Sequence, residues 1–232
     1  MGKGFDQYAA QYDAWFLENP NVLLSELRLV AATLKDSTSI LSVGCGSGLF
    51  EKMLRDDCGI NITDGIEPSP AMAEIARKRG LTVTESTAEE MQIPRGKFDT
   101  ILFNGCPGYI TDLEKVIAKC HDALPEGGRI ILIDIPKESA YGLLYNLAKS
   151  VGTWNHPLLE GTYPPNPYPI EFVNVANWRT TAEKIALLEK AGFRDLSFMQ
   201  TLTTHPLYSA LVAEHPCAGY DRGDYVAITA VK

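Results

Sequence analysis

Short apolar runs alternate along this chain with longer stretches whose hydrophobic positions recur every three or four residues. This is the pattern of a mostly parallel sheet covered by helices on both faces. Runs at 39–43, 62–66, 82–85, 100–104 and 129–133 predict five strands. Helices are predicted over 49–55, 70–79 and 112–124, the last with Asp112 as N-cap and Gly127 shortly beyond its end. A further helix over 181–191 stops at Gly192, and two closing strands follow near 196–202 and 225–231. At the N-terminus Phe5, Tyr8, Ala9, Tyr12, Trp15 and Phe16 recur at helical steps, so one face of that segment is expected to be buried. No repeat or linker divides the 232 residues, a length that one open α/β domain can fill.

The run ILSVGCGSGL at 40–49 carries the most chemical information. An apolar strand enters a turn built on Gly44, Gly46 and Gly48, and a helix leaves it; without Cβ atoms such a turn can approach a ligand closely. Glu67 ends the next apolar run, nineteen residues beyond Gly48. A carboxylate at that distance can accept hydrogen bonds from both ribose hydroxyls of a nucleoside cofactor. The spacing is GxGxG, with its third glycine one place earlier than in the dinucleotide fingerprint GxGxxG, which argues against NAD.

VGCGSG followed by GIEPSPAM resembles the first motif and the ribose-binding segment of class I S-adenosylmethionine (SAM)-dependent methyltransferases. The resemblance extends to FDQYAAQYDAWF near the N-terminus, STAEEMQIP after the third strand, KFDTILFNG at the fourth and ALPEGGRIILID at the fifth, so it covers residues 5 to about 134. It implies an α/β, Rossmann-like three-layer sandwich with a mostly parallel seven-stranded sheet whose last strand is antiparallel. It also implies SAM as cofactor and S-adenosylhomocysteine (SAH) as product. Position by position, it implies that Gly44, Cys45 and Gly46 pass beneath the methionine part and the ribose. Glu67 is implied to hold the ribose diol, with Pro68 and Ser69 beside the adenine. Thr87 and Ala88 match the place where the adenine amino group is met, and Asn104 and Gly105 the place where a backbone oxygen meets the methionine amino group. Tyr12 or Tyr8 is implied over the methionine end. Ser42 and Thr87 stand where many relatives have an acidic residue. Each removes a negative charge from the expected site of a cationic cofactor, leaving neutral hydrogen bonds about half as strong as charge-assisted ones.

Composition narrows the partners. A formal net charge of −8 opposes nonspecific binding to a phosphate backbone, so nucleic acid is not expected as a substrate. The basic cluster at 77–79 sits where a helix should end, and cations are favoured there by the helix dipole. Five cysteines with no CxxC indicate neither a zinc site nor a disulfide framework and fit a reducing cytoplasm. No signal peptide is read, Asp6 breaks the myristoylation pattern, and no run approaches the roughly 18 apolar residues that span a bilayer.

Residues 154–178 hold Pro157, Pro164, Pro165, Pro167 and Pro169 among Trp, Tyr and Phe, a density that argues against a regular helix or central strand. The segment follows the fifth strand, on the ligand side of an open sheet, and is expected to be a substrate cap; the alternative is an edge cover or a homodimer contact. One domain, 1–232, is therefore expected, with an N-terminal helical lid at about 1–35 and a cap insertion at about 136–180. Methyl transfer asks the protein to align an acceptor lone pair behind an electrophilic methyl, to exclude water and, for a protonated acceptor, to supply a base. His156 in the cap is the candidate catalytic base. His205 and His215 lie between the closing strands, and His121 reads as structural. Asp99 and Asp134, flanking strands, fit acid–base work or turn and capping roles equally well. The resemblance also raises thiolate-bound arsenite as an acceptor, through Cys45, Cys106 and Cys217, but their spacing does not support it. The sequence is read as an enzyme that methylates a small molecule without metal. Its competitors are a noncatalytic SAM- or SAH-binding module, favoured by Ser42 and Thr87, and a nicotinamide oxidoreductase, disfavoured by the glycine spacing.

Overall fold

Side chains point alternately to opposite faces along a strand, so a sheet with helices on both sides needs apolar residues at consecutive positions. The central strands meet that need in the computed structural model, which describes residues 9–232. Ile101, Phe103, Ile130 and Leu132 pack into one core, whereas Leu102, Ile131 and Ile133 pack into the other. The strands are β1 (Ile40–Val43), β2 (Asp64–Ile66), β3 (Thr82–Thr84), β4 (Thr100–Asn104), β5 (Arg129–Asp134), β6 (Arg194–Thr201), β7 (Cys217–Ala218) and β8 (Tyr225–Val231). They form one sheet in the order β3-β2-β1-β4-β5-β8-β6-β7. The first five are parallel, and β8 runs antiparallel between β5 and β6. The eighth strand beyond the seven expected is β7, a two-residue edge strand antiparallel to β6 and too short to leave a periodic signature.

One core is closed by α5 (Leu113–Ala123) and α8 (Thr181–Lys190), the other by α1 (Ala9–Glu18), α2 (Pro20–Thr33) and α3 (Leu49–Cys58). Asp112 caps α5 as expected, accepting from the Lys115 backbone N–H at 3.0 Å. Thr180 and Glu183 form a reciprocal capping box that starts α8. Between β2 and β3 runs α4 (Pro70–Lys78), capped by Ser69.

Of the stripe expected at the N-terminus, Phe5 and Tyr8 lie outside the described residues, while Trp15 and Phe16 are buried. The segment read as a lid includes α2, whose Leu27, Leu29 and Val30 are fully covered, so these residues belong to the core layer. The stretch at 136–180 contains two helices that the apolar pattern does not announce. The first, α6 (Ala140–Val151), carries Gly142 in its first turn, where a Cβ would stand 2.0 Å from the Pro136 carbonyl oxygen. The second, α7 (Ile170–Val175), corrects the expectation that the prolines exclude a regular helix. Pro169 is its N-cap, a place at the helix start where a missing N–H costs little.

Candidate active site

The strand order reverses direction between β1 and β4, and in open α/β sheets that switch leaves a crevice at the carboxyl ends of the strands. A cavity of about 310 Å³ occupies this crevice, within the range of small-molecule pockets. The glycine turn forms its floor. The backbone N–H groups of Gly44 and Cys45 donate to the Ile66 carbonyl at 2.8 and 3.1 Å, anchoring the turn to β2. Gly44 has φ +68°, and a Cβ there would lie 2.7 Å from Cβ of Cys106. Gly46 has φ +56°, and its missing Cβ leaves open space up to the Tyr12 ring, 3.9 Å from where that atom would stand. The turn is thus a bare cradle facing a tyrosine.

Glu67 braces this cradle. One carboxylate oxygen accepts from Gly46 N–H at 2.9 Å and the other from Ser69 N–H at 2.8 Å. The side chain is 6 % exposed and lines the cavity. A carboxylate fixed in this way is pre-oriented for further donors such as a ribose diol. Behind the turn, Ser42 donates to Oε1 of Glu51 at 2.6 Å, and burial pushes the Glu51 carboxyl above its ordinary range. An acidic group therefore stands beside the position where the sequence seemed to have lost one.

Of the residues expected at the cofactor, Tyr12, Gly44, Gly46, Glu67, Pro68, Thr87, Ala88, Asn104 and Gly105 line this one cavity. Cys45 does not: it packs away from the cavity with Ala73, Ala76, Leu81 and Val83. Ser69 is buried as the cap of α4 and acts through its N–H on Glu67. Thr87 Oγ1 accepts from Glu90 N–H at 3.3 Å, and Glu89, unremarked in the sequence reading, brings a carboxylate to the same wall. The acidic pair of the STAEEM stretch was the available signal for it.

A second cavity of about 50 Å³ adjoins the first, sharing Tyr12, Asn104, Gly105 and Tyr109 with it. Its roof comes from the proline-rich segment. Trp15 Nε1 donates to the carbonyls of Asn166 and Pro167 at 3.2 and 3.0 Å, and Arg179 donates to the Pro107 and Ile110 carbonyls at 3.0 and 2.9 Å. Tyr168 and Trp178 of that segment line the cavity, together with Glu26 and Asp134. Burial pushes the Glu26 carboxyl up to about 8. Burial also pushes Asp134 up to about 6, against the pull of Lys184 and Arg179.

The structure does not bring His156 to either cavity. Its Nδ1 accepts from Leu158 N–H at 3.2 Å and caps a short 3₁₀ turn. His205 does the same for Leu207. Asp99 ties down the Thr38–Ser39 backbone and is a turn residue, whereas Asp134 faces the second cavity. Cys106 lines the first cavity with its thiol donating to the Val43 carbonyl at 3.0 Å, and burial raises the pKa of both Cys45 and Cys106. Burial thus favours the thiol over the thiolate at both, and among the described residues no cluster of His, Cys, Asp and Glu could hold a metal. Arg79, at the end of the basic cluster, donates to Asp13 on α1 at 2.6 Å and to Ser47 in the glycine turn, so it joins two elements of the site as well as ending a helix.

Known proteins are similar to this chain. The methyltransferase-domain family matches residues 16–197. An uncharacterized protein of Methanocaldococcus jannaschii is 29 % identical over 98 % of both chains. The crystal structure of a SAM-dependent methyltransferase from Thermotoga maritima, described as a possible histamine N-methyltransferase, superposes with a TM-score of 0.82 at 30 % identity and covers all of both chains. Demethylmenaquinone methyltransferase of Thermus thermophilus is 29 % identical over 47 % of this chain and 53 % of its own length. With a Rossmann-like sheet, a glycine cradle braced by the carboxylate that ends β2, and these relatives, the chain belongs to the class I SAM-dependent methyltransferase family.

Proposed function

We propose that this protein transfers the methyl group of SAM to a small-molecule acceptor and releases SAH. The observation that carries the reading is the pairing of cavities: a cleft of about 310 Å³ with the Glu67 carboxylate and the bare Gly46 backbone, beside a smaller aromatic chamber that shares four of its lining residues. The open cradle at Gly46 fits a nucleoside held close to the main chain. Glu67 would take the ribose diol, Thr87, Ala88 and Glu89 would face the adenine, and Asn104, Gly105 and Tyr12 the methionine end. The cofactor supplies an electrophilic methyl, and the chain's task is alignment and exclusion of water. The segment at 154–178 does the second as a cap, its Tyr168 and Trp178 closing the chamber.

A small acceptor is favoured over a polymer by the size of the chamber and by the net charge of −8. Five unpaired cysteines support a reducing, cytoplasmic setting, and no helix among the described residues is long and apolar enough to cross a membrane. The competing reading as a noncatalytic module rests on Ser42 and Thr87; the Glu51 carboxyl beside Ser42 weakens the first half of that case. Calorimetric titration with SAM, SAH and NAD tests the reading, followed by transfer of labelled methyl to a panel of phenols, carboxylates and amines. Amines belong in the panel in view of the description of the Thermotoga maritima relative. Binding of SAM and SAH with turnover on the panel is expected; NAD binding alone overturns the proposal.

A further inference from the structure

The two cavities differ in chemistry. Nine aromatic residues, Tyr12, Trp15, Tyr145, Tyr168 and Trp178 among them, surround the smaller one, and two carboxyl residues line it, Glu26 from α2 and Asp134 from the end of β5. Asp134 is 1 % exposed. Its Oδ1 accepts from Ile135 N–H at 2.9 Å, while Oδ2 stands beside the Gly108 backbone and meets no donor in hydrogen-bond geometry among the described residues. A buried polar atom left in this state is costly unless a ligand completes it. No cationic side chain lines the chamber among the described residues. An anionic ligand would meet two carboxyl groups there, and a purely apolar one would leave Oδ2 of Asp134 without a partner. A cation is the complementary guest, because aromatic faces attract it through their quadrupoles and the carboxylates accept its hydrogen bonds.

We propose that this chamber is the acceptor site and that it takes a small organic amine as the ammonium, held on the aromatic faces and hydrogen-bonded to Glu26 and Asp134, with Asp134 as the group that removes its proton. The inference rests on the methyl-transfer reading above and names its substrate class. The four residues shared by the two cavities put the amine nitrogen next to the methionine end of the cofactor cleft. The ammonium gives one proton to the Asp134 carboxylate. The freed nitrogen lone pair forms the N–C bond as the S–C bond to the cofactor sulfur breaks. SAH and the N-methylated ammonium leave, and Asp134 passes its proton to solvent. Lys184 and Arg179, on the other side of Asp134, favour its ionised form, so it is ready as an acceptor near neutral pH. Burial alone acts on Glu26 and favours its neutral form; an arriving ammonium favours its ionisation.

The test uses the full chain saturated with SAH and titrated calorimetrically with n-butylamine and, separately, with its neutral counterpart 1-butanol. The amine is expected to bind at least tenfold more tightly than the alcohol. Asp134→Asn and Glu26→Gln, both nearly isosteric, are each expected to weaken amine binding about tenfold while SAH affinity stays within about twofold, which also reports that the variants are folded. Labelled methyl is expected on nitrogen when SAM is supplied with amines from the panel, and Asp134→Asn should slow that transfer about a hundredfold. Equal affinity for amine and alcohol, or amine binding indifferent to both substitutions, overturns the inference while normal SAH binding leaves the methyl-transfer reading intact. Failure of the parent protein to bind SAH overturns both.

Discussion

The Ser42 hydroxyl donates to Oε1 of Glu51 across 2.6 Å, joining the end of β1 to the first turn of α3 behind the glycine cradle. Both residues are buried, and Oε2 of Glu51 has no partner among the described residues. Replacing Ser42 with Ala removes that donor and leaves the buried carboxyl with a backbone hydrogen bond alone. The expected loss of stability is about 1–3 kcal/mol, read as a lower urea midpoint with an unchanged slope. A midpoint equal to that of the parent would mean that the contact contributes nothing.

Glu67 has two tasks, bracing Gly46 and Ser69 through their N–H groups and facing the cofactor cleft. Glu67→Ala should weaken SAH binding by about 1.5–3 kcal/mol, the range for hydrogen bonds to a charged group, and should also lower thermal stability because two backbone donors lose their acceptor. Calorimetry on a variant that retains its circular dichroism spectrum decides the first point; undiminished affinity would remove Glu67 from the cofactor site.

Glu26 makes a signed prediction for pH. Its carboxyl sits at about 8 in the folded protein against an ordinary 4.5. Between these values the folded state holds a proton that the unfolded state has released, so stability falls as pH rises, by at most about 1.4 kcal/mol per pH unit. Asp134 and Asp224, pushed by burial only to about 6 from 3.8, finish most of their effect by about pH 6. The Glu26→Gln variant should therefore gain in melting temperature relative to the parent from pH 6 to pH 8. A constant difference across that window would show that Glu26 is not raised.

Arg79 holds α1 against the glycine turn through Asp13 and Ser47, with side chains only 22 % and 12 % exposed for the Arg79–Asp13 pair. Arg79→Ala should speed amide hydrogen exchange in α1 and leave the β4 and β5 amides protected, because those strands lie in the centre of the sheet. Unchanged exchange in α1 would assign its docking to the aromatic contacts of Trp15 and Phe16 alone.

Much of the first cavity was legible because its lining is written in local chemistry: a strand, a turn of glycines and a carboxylate at a fixed distance. The second cavity was not, since its walls come from α1, α2, α3, β4, β5, β8 and the segment at 136–180, which only tertiary packing unites. Glu26 could still have been found. It falls on the same helical face as Val22, Leu23, Leu29 and Val30, and an acidic residue on an apolar stripe points to a buried carboxyl. His156 misled because a histidine in a cap fits a base as well as it fits a turn, and only the hydrogen bond to Leu158 distinguishes them. The helix after Pro169 was missed because prolines were weighed by density and not by their position at a helix start.

All three tryptophans of the chain gather at the roof and wall of the acceptor chamber. Trp15 and Trp178 line it, and Trp154 packs edge-on against Tyr145, which also lines it, while its Nε1 donates to the Tyr168 carbonyl at 2.8 Å. The intrinsic ultraviolet emission of the protein thus originates almost entirely where an acceptor would dock. Any guest that enters or any loosening of the roof should alter its intensity and colour, giving an unlabelled optical gauge of occupancy with no background from distant indoles.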